Sequence, residues 1–436
     1  MTKTKQLISG NCGKIQPDSV SDYLAVGGYE ALRKAITMTP NQIIDEVKTA
    51  KLLGRGGAAY PAGSKWSDLL KSEQFPKYIV CNADEGEPGT FKDKLLLSQD
   101  PLRVIEGMTI AGYVFGSQDG YIYIRGEYRE IQKTFQNAID NAVKAGFLGD
   151  KIMGSDFSYK IHLMTGAGAY VCGENSALLN SIEGIVGRPR IKPPHLAEVG
   201  LYKMPTLVNN VESFANIPTI VLIGGEKFLS YGAEDCGGTK LICLSGHAAK
   251  RGVYEIPLGS STLRDIIYDP ELGGGIKDNK TLKFYHLGGQ SGPCGFPAQL
   301  DTSYAYKALR STGLAVGSGA VVVMDETVCI IEYLKGVTEF FIHESCGKCT
   351  PCREGNLRLH EILTRFTEGK AEKKDIDLLR RLSRTMATAS FCGLGQAATT
   401  ALDSCLKHAL PEFEAHLAGQ CPAGVCFPKE KAGENK

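Results

Sequence analysis

The chain has 436 residues, with 49 lysines and arginines against 48 aspartates and glutamates and a formal net charge of +1. That balance excludes recognition of nucleic acid or an anionic membrane through a global field, so partners must be met locally. One core does not suffice at this length, and two or three domains of roughly 100–200 residues are expected.

In chain order, the first segment, MTKTKQLISGNC, has no uninterrupted apolar stretch of the kind a secretory signal needs, so a cytoplasmic location is expected. Up to about residue 235 helical segments alternate with short apolar strands such as Lys77 to Val80 and Tyr121 to Ile124, an order that argues for an α/β layer structure. Two glycine-rich turns interrupt it, GRGGAAYPAGSKW from Gly54 to Trp66 and GAGAYVCGENSALL from Gly166 to Leu179. The second follows a strand with Tyr159, Ile161 and Leu163 in alternation and precedes a helix expected over Glu174 to Ile182. Strand, glycine turn and helix make an anion cradle, because glycines let N–H groups approach a phosphate and the helix N-terminus adds a favourable field. The spacing is not the G-x-G-x-x-G fingerprint, so a plain tight turn stays an open alternative.

In the first loop Gly54, Gly56, Gly57 and Gly63 supply flexibility, while Arg55 and Lys65 are candidate cations for phosphate. Between the loops, CNADEGEPGTFKD offers Asn82, Asp84, Glu85 and Glu87 as acceptors for a polyhydroxylated or ring-nitrogen ligand, with an acidic surface turn as the alternative. The longest apolar run, Ile217 to Ile223, is far short of the roughly 20 residues that span a bilayer, and direct membrane insertion is excluded.

From about Lys240 to Met324 the strands KLICLSG, KFYHLGG and AVVVM surround one helical stretch, TLRDIIYD, which reads as a small α+β module serving as spacer or docking domain. After Asp325 the pattern turns helical. Leu359, Ile362, Leu363 and Phe366 fall at core spacing, as do Leu379, Leu382 and Met386, and four helices fit between 326 and 417. The final PKEKAGENK is polar and expected to be disordered.

Fourteen cysteines are many for a reducing compartment, where clustered thiols more often bind metal than form disulfides. In ESCGKCTPCR, Cys346, Cys349 and Cys352 form a C-x2-C-x2-C run whose two-residue spacers let successive thiolates reach different corners of one compact cluster. Cys392 in SFCGLG, expected to begin the last helix, is the fourth candidate ligand. A zinc site is the competing reading, although paired C-x2-C arms suit zinc better than one tight triplet. His416, Cys421 and Cys426 form a second group, H-x4-C-x4-C, with donors suited to zinc. Cys12, Cys81, Cys172, Cys236, Cys243, Cys294 and Cys405 show no ligand spacing and read as structural.

Together with PTLVNNVES at Pro205 to Ser213, these stretches resemble the family of the NADH-binding 51-kDa flavoprotein subunit of respiratory complex I and its soluble relatives. Those relatives are the β-subunits of NAD-linked and electron-bifurcating hydrogenases and of NAD-dependent formate dehydrogenases. The resemblance spans about residues 20 to 417 and implies an α/β fold of three domains. They are a Rossmann-like FMN/NAD domain over 1–235, a soluble-ligand-binding β-grasp (ubiquitin-like) domain over 236–325 and an iron–sulfur four-helix bundle over 326–420, followed by a tail at 421–436. Carried onto this chain, the FMN contacts are Gly54, Arg55, Gly56, Lys65, Asn82, Asp84, Tyr170, Gly173, Glu174, Asn209 and Asn210. The NAD(H) contacts are Gly57, Tyr60, Glu85, Glu87, Lys192 and His195, with Tyr60 and His195 placed to stack on adenine and Glu87 beside the reacting rings. The metal ligands are Cys346, Cys349, Cys352 and Cys392 for a 4Fe-4S cluster. Cys329 joins His416, Cys421 and Cys426 for zinc, because it resembles a cysteine of bifurcating hydrogenase β-subunits.

The implied activity is NADH:acceptor oxidation, in which hydride exchange with FMN becomes single-electron transfer through the cluster. The implied partners are a thioredoxin-like 2Fe-2S subunit and an iron–sulfur catalytic subunit. The tail cysteines favour a soluble, hydrogenase-type complex, with the peripheral arm of complex I or a formate dehydrogenase as the alternative. Family members commonly read GEETAL where this chain has Asn175 in the third position, which puts one polar contact to the nucleotide in doubt.

Overall fold

The computed structural model describes residues 4–427, so the tail PKEKAGENK lies outside the described residues. Strands β1 (Tyr78–Ala83), β2 (Asp119–Ile124), β3 (Lys160–Thr165) and β4 (Thr206–Asn210) form a sheet in the order β3-β2-β1-β4 with every pairing parallel. Parallel strands need crossovers that cover both sheet faces, which is why β1 carries the buried apolar residues Ile79, Val80, Cys81 and Ala83, with Asn82 the polar residue near its carboxyl end. Helices supply those crossovers: Lys92–Gln99 and Pro101–Phe115 after β1, Arg129–Lys144 after β2 and Asn175–Ile182 after β3. The apolar run Ile217 to Ile223 ends the helix Val211–Ile223, which follows β4 and packs on Pro101–Phe115. Gly107 makes that approach possible, since a Cβ there would lie 2.2 Å from the Phe214 carbonyl oxygen.

β2 lies on one side of β1 and β4 on the other, so the strand order reverses at β1. Ligands of open α/β sheets sit outside the carboxyl ends of the strands at such a reversal. Asn82 and Asn210, paired across β1 and β4, end the two strands at that place.

The second sheet is mixed. β5 (Thr239–Gly246), β6 (Gly252–Pro257), β7 (Leu282–Leu287), β8 (Cys294–Gly295) and β9 (Ala320–Asp325) run in the order β6-β5-β9-β7-β8, with β5 and β9 parallel and the other pairs antiparallel. TLRDIIYD supplies the helix Leu263–Tyr268, started by a capping box between Thr262 and Asp265. Its Ile266 and Ile267 join Ile242, Leu244, Tyr285 and Val321 in a core separate from that of the first sheet.

Buried charge ties the two sheets together. Glu212, in the first turn of Val211–Ile223, accepts from Lys240 Nζ at 2.5 Å and from the Leu241 N–H at 3.0 Å, and lies 3.1 Å from Lys92 Nζ. All three ionised side chains are excluded from solvent, so each depends on the others for the solvation it gave up. The first residues are tied to the same seam. Glu255 of β6 accepts from the N–H groups of Leu7 (2.8 Å), Ile8 (3.1 Å) and Ser9 (2.9 Å), and from the hydroxyls of Ser9 (2.6 Å) and Thr239 (2.5 Å).

The helical region begins at Ile330–Glu344, which packs against Thr350–Thr367, and that helix in turn packs against Lys373–Ala389. Leu359, Ile362, Leu363, Phe366, Leu379 and Met386 are buried as their spacing requires, and Leu382 is half-buried. Where four helices were expected there are six, because the chain after Cys392 is broken into Gly393–Ala397, Thr400–His408 and Leu410–Leu417. Cys392 therefore caps the first of three short helices and does not begin the last one. The class is mixed α/β with one parallel and one mixed sheet, and among the described residues no helix is long and apolar enough to cross a membrane.

Candidate functional site

Five segments meet at the carboxyl ends of β1 and β4. Gly54 to Tyr60 is a closed loop, pinned by a bridge between Leu53 and Pro61 and by the Gly54 N–H on the Tyr60 carbonyl (2.9 Å). Gly56 sits against β4, where a Cβ would come within 3.0 Å of Asn210 Cβ, so a side chain there would press on the strand end. Asn210 caps Val211–Ile223 through its Oδ1 and donates from Nδ2 to Asp93 at 2.6 Å, which fixes its amide. Asn82 donates to the Gly173 carbonyl (2.9 Å) and to Asn175 Oδ1 (3.2 Å), so Asn175 enters the site as a partner of Asn82. The carboxylate of Asp84 is buried with Oδ2 unpartnered, and burial pushes its pKa up to about 7. An orphaned acceptor at a strand reversal, beside a glycine loop, fits a hydroxylated ligand that brings its own donors, as the ribityl chain of FMN would.

Other expected residues are engaged differently. Arg55 is not a surface cation: it is fully buried, its N–H donates to Ser213 Oγ (2.9 Å) and its Nη2 to the Gly237 carbonyl (2.7 Å). Glu85 faces into the protein as the acceptor for the Asp93 and Lys94 N–H groups at 2.8 and 2.9 Å, closing the start of Lys92–Gln99, and burial raises its pKa to about 7. Glu174 occupies the N-terminus of Asn175–Ile182 with its own carboxylate, accepting from the Ser176 and Ala177 N–H groups at 2.9 Å each, so those donors are not free for a phosphate. It also accepts from Lys192 Nζ at 2.7 Å. Asn209 is buried, accepting from Trp66 Nε1 at 3.0 Å. Lys65 points at the end of β4, donating to the Val208 carbonyl (2.9 Å), and burial followed by the nearby Lys192 lowers its pKa to about 8.

Tyr60 is 51% exposed, and Gly57 keeps a positive φ of 132° in the same loop. His195 is exposed, and its N–H donates to Glu198 at 2.8 Å.

Glu87 holds the centre. Its carboxylate accepts from the Tyr170 hydroxyl and from the Ser291 N–H (3.0 Å) and hydroxyl (3.1 Å), and burial raises its pKa against those donors. Ser291 stands in the β7–β8 turn of the second sheet and carries no sequence motif, so spacing gives no sign of it. Tyr170 also reaches the helical region, through its N–H on Glu344 (2.8 Å) and its ring against Phe340 (centroids 5.1 Å apart).

Cys346, Cys349, Cys352 and Cys392 line one small cavity together with Val171, Pro189, Phe391 and Leu394. Cys352 lies in the first turn of Thr350–Thr367, while Cys392 returns after Lys373–Ala389. Gly355 and Gly395 permit this convergence: a Cβ on the first would meet Met386 Sδ at 2.5 Å, and on the second Cys352 Cβ at 2.8 Å. Donors already face the sulfurs, with the Phe391 N–H 3.4 Å from Cys349 Sγ and Asn356 Nδ2 3.6 Å from Cys352 Sγ. Four thiols around one cavity, with N–H groups on their sulfurs, fit a cubane cluster.

Cys329, His416, Cys421 and Cys426 form a separate group whose donor atoms all lie within 4.8 Å of one another. Cys329 Sγ is 3.4 Å from both His416 Nε2 and Cys426 Sγ. Tetrahedral zinc with bonds of about 2.0–2.3 Å separates its ligands by roughly 3.5–3.8 Å, so the group has the right span. His416 Nδ1 is taken by the Glu412 carbonyl at 2.7 Å, which turns Nε2 toward the sulfurs. Burial raises the Cys421 thiol, but the N–H groups of Cys426, Val425 and Ala423 outweigh it and bring the pKa down to about 6.

Residues 47–219 match the family model for the Nuo51 FMN-binding domain, and residues 332–416 match the NADH-ubiquinone oxidoreductase-F iron-sulfur binding region. The chain is 45% identical over 428 residues to the NADP-reducing hydrogenase subunit HndC of Solidesulfovibrio fructosivorans, covering 98% of this chain and 86% of the relative. It is 44% identical over 405 residues to the F 2 subunit of NADH-quinone oxidoreductase from Rhizobium meliloti (strain 1021), covering 92% and 96%. A solved NAD+-reducing [NiFe]-hydrogenase in the H2-reduced state superposes with a TM-score of 0.82 at 33% identity, over 89% of this chain and 64% of that one.

Proposed function

Because the chain belongs to the family of NADH-oxidising FMN flavoprotein subunits with a 4Fe-4S region, we propose that it is the NADH-oxidising subunit of a hydrogenase-type complex, in which the strand-reversal crevice takes FMN and NADH and Cys346, Cys349, Cys352 and Cys392 hold the cluster. One observation carries this reading. Val171 lines the thiol cavity, while its neighbour Tyr170 donates to Glu87 in the crevice, so consecutive residues of one turn face the two sites.

FMN bound there would supply the two-electron hydride chemistry, and a cluster on the four cysteines would supply the one-electron chemistry. The chain's own residues bind and orient. Gly54, Gly56 and Gly57 open room at the strand ends, Asn82, Asp84 and Asn210 present fixed acceptors and donors, and Lys65 supplies the cation for a phosphate. Tyr60, Lys192 and His195 edge the exposed side, where the adenosine half of the nucleotide would lie. Glu87 presents a held carboxylate to the reacting rings.

The finer architecture follows the same reading. Domain boundaries fall near residues 235 and 325, and the five-stranded sheet with its helix has β-grasp character. The three short helices after Cys392 act together as the broken fourth arm of a bundle. Cys329, His416, Cys421 and Cys426 hold zinc. The expected neighbours are a thioredoxin-like 2Fe-2S subunit and an iron–sulfur catalytic subunit; a complex I peripheral arm would use the same cofactor core.

Absorbance of the anaerobically purified chain tests the proposal. Flavin and broad iron–sulfur bands should both bleach on NADH addition, and metal analysis should find about four iron and one zinc per chain. A chain without flavin bands, or one whose bands ignore NADH, overturns it.

A further inference from the structure

The turn between β7 and β8 is shaped around a side chain from the other sheet. Gly288 and Gly289 both adopt positive φ, 74° and 90°, and a Cβ on Gly289 would lie 2.0 Å from Glu87 Cγ. The turn is held rigid from behind. Ser318 Oγ donates to the Gly288 carbonyl at 3.0 Å, the Gly292 N–H to Gly289 at 3.0 Å, and His286 Nε2 to the Gly292 carbonyl at 2.8 Å. The other ring nitrogen, Nδ1, lies 2.6 Å from the Tyr333 hydroxyl and accepts from it, so the imidazole is a fixed strut, and burial lowers its pKa to about 4. Ser291 then presents both its N–H and its hydroxyl to the Glu87 carboxylate. A surface spacer would need neither the left-handed glycines nor a donor pair aimed across the domain seam.

We infer that Ser291 is a positioning residue for NADH oxidation: from the second sheet it holds Glu87 as an oriented carboxylate, so the five-stranded module forms part of the nicotinamide site. This rests on the flavoprotein reading above. The titratable groups facing Glu87 are few. Among the described residues, Tyr170 donates to it, Glu344 stands behind Tyr170 on the Ile330–Glu344 helix, and the β7–β8 turn offers Ser291 and the Gln290 N–H. Removing the Ser291 hydroxyl therefore takes away a donor that favours the ionised form, and the Glu87 pKa must rise.

The test is the pH profile of kcat/KM for NADH, with ferricyanide as acceptor, on the flavin-loaded full chain. Ser291→Ala should lower kcat/KM about tenfold at neutral pH, the scale of one hydrogen bond to a charged group, and move the acid limb up by about one pH unit. Ser291→Thr, which keeps the hydroxyl, should restore the limb. In a Glu87→Gln background the limb should vanish and Ser291→Ala should cost nothing more. An Ala variant that keeps its flavin and its acid limb overturns the inference alone, even if its melting temperature falls. A Thr variant that behaves like Ala does the same. A wild-type chain that binds no flavin overturns the flavoprotein reading and this inference with it.

Discussion

The crevice at the strand ends and the two sulfur sites are built on opposite plans. Each sulfur site places ligands at helix ends, where a short loop or cap holds a cysteine and needs little beyond the cavity that it lines. The crevice draws single residues from segments as far apart as Glu87 and Ser291, each fixed by hydrogen bonds that also hold the fold together. The partly exposed Cys392 should therefore be replaceable at small cost to the fold, whereas the crevice shares its parts with the core.

The largest effect should sharpen that contrast. Cys392→Ser removes one thiolate of the cavity and should abolish electron delivery to one-electron partners while flavin content, NADH-dependent bleaching of the flavin band and circular dichroism persist. If the variant unfolds, the contrast fails. On the crevice side, Glu212→Ala leaves Lys240 and Lys92 buried without their shared carboxylate, and such unpairing costs about 3–5 kcal/mol. Denaturant midpoints should fall accordingly and flavin retention with them. A stable variant that keeps its flavin would show that the crevice is not tied to the core.

The smallest effect concerns pH. Glu85 and Asp84 both have folded-state pKa values raised to about 7, above the ordinary carboxylate range, chiefly by burial. A group with a raised folded pKa contributes stability that is fully present below its unfolded value and is lost as pH rises through the folded value. The flavin-free chain should therefore lose stability progressively as the pH rises from about 4 to about 7. Glu85→Gln keeps an acceptor for the Asp93 and Lys94 N–H groups and should flatten that slope in thermal melts. An unchanged slope would remove Glu85 from the account.

The same contrast explains what could be read in advance. The C-x2-C-x2-C spacing and the H-x4-C-x4-C group were legible because thiols have few other reasons to cluster, whereas Cys329 came only from the family resemblance, and the structure brings each set together. The strands β1, β2, β3, β5, β7 and β9 were legible because apolar period and length identify them, and their alternation with helices in the first half pointed to an α/β layer, whereas β4, β6 and the two-residue β8 were not named in advance. Side-chain direction was not legible. Arg55 and Glu85 carry the right charges for a nucleotide site, yet their partners, Gly237 and the start of Lys92–Gln99, can be found only once the chain has folded. Ser291 had no signal at all, since its meaning lies 204 positions away in Glu87. The helix count missed because breaks such as Ala409 before Pro411 interrupt an apolar pattern that spacing alone reads as continuous.

The clasp of Glu255 on Leu7 to Ser9 has a practical consequence for anyone handling this chain. The carboxylate takes three successive amides and the Ser9 hydroxyl from that strip, leaving Thr239 as its one other hydrogen-bond donor among the described residues. Trimming the strip away would strand a buried anion at the edge of β6. Expression designs should keep residues 7 to 9 intact and place any cleavable tag ahead of them, and proteolytic nicking at this latch should loosen the second sheet before the first.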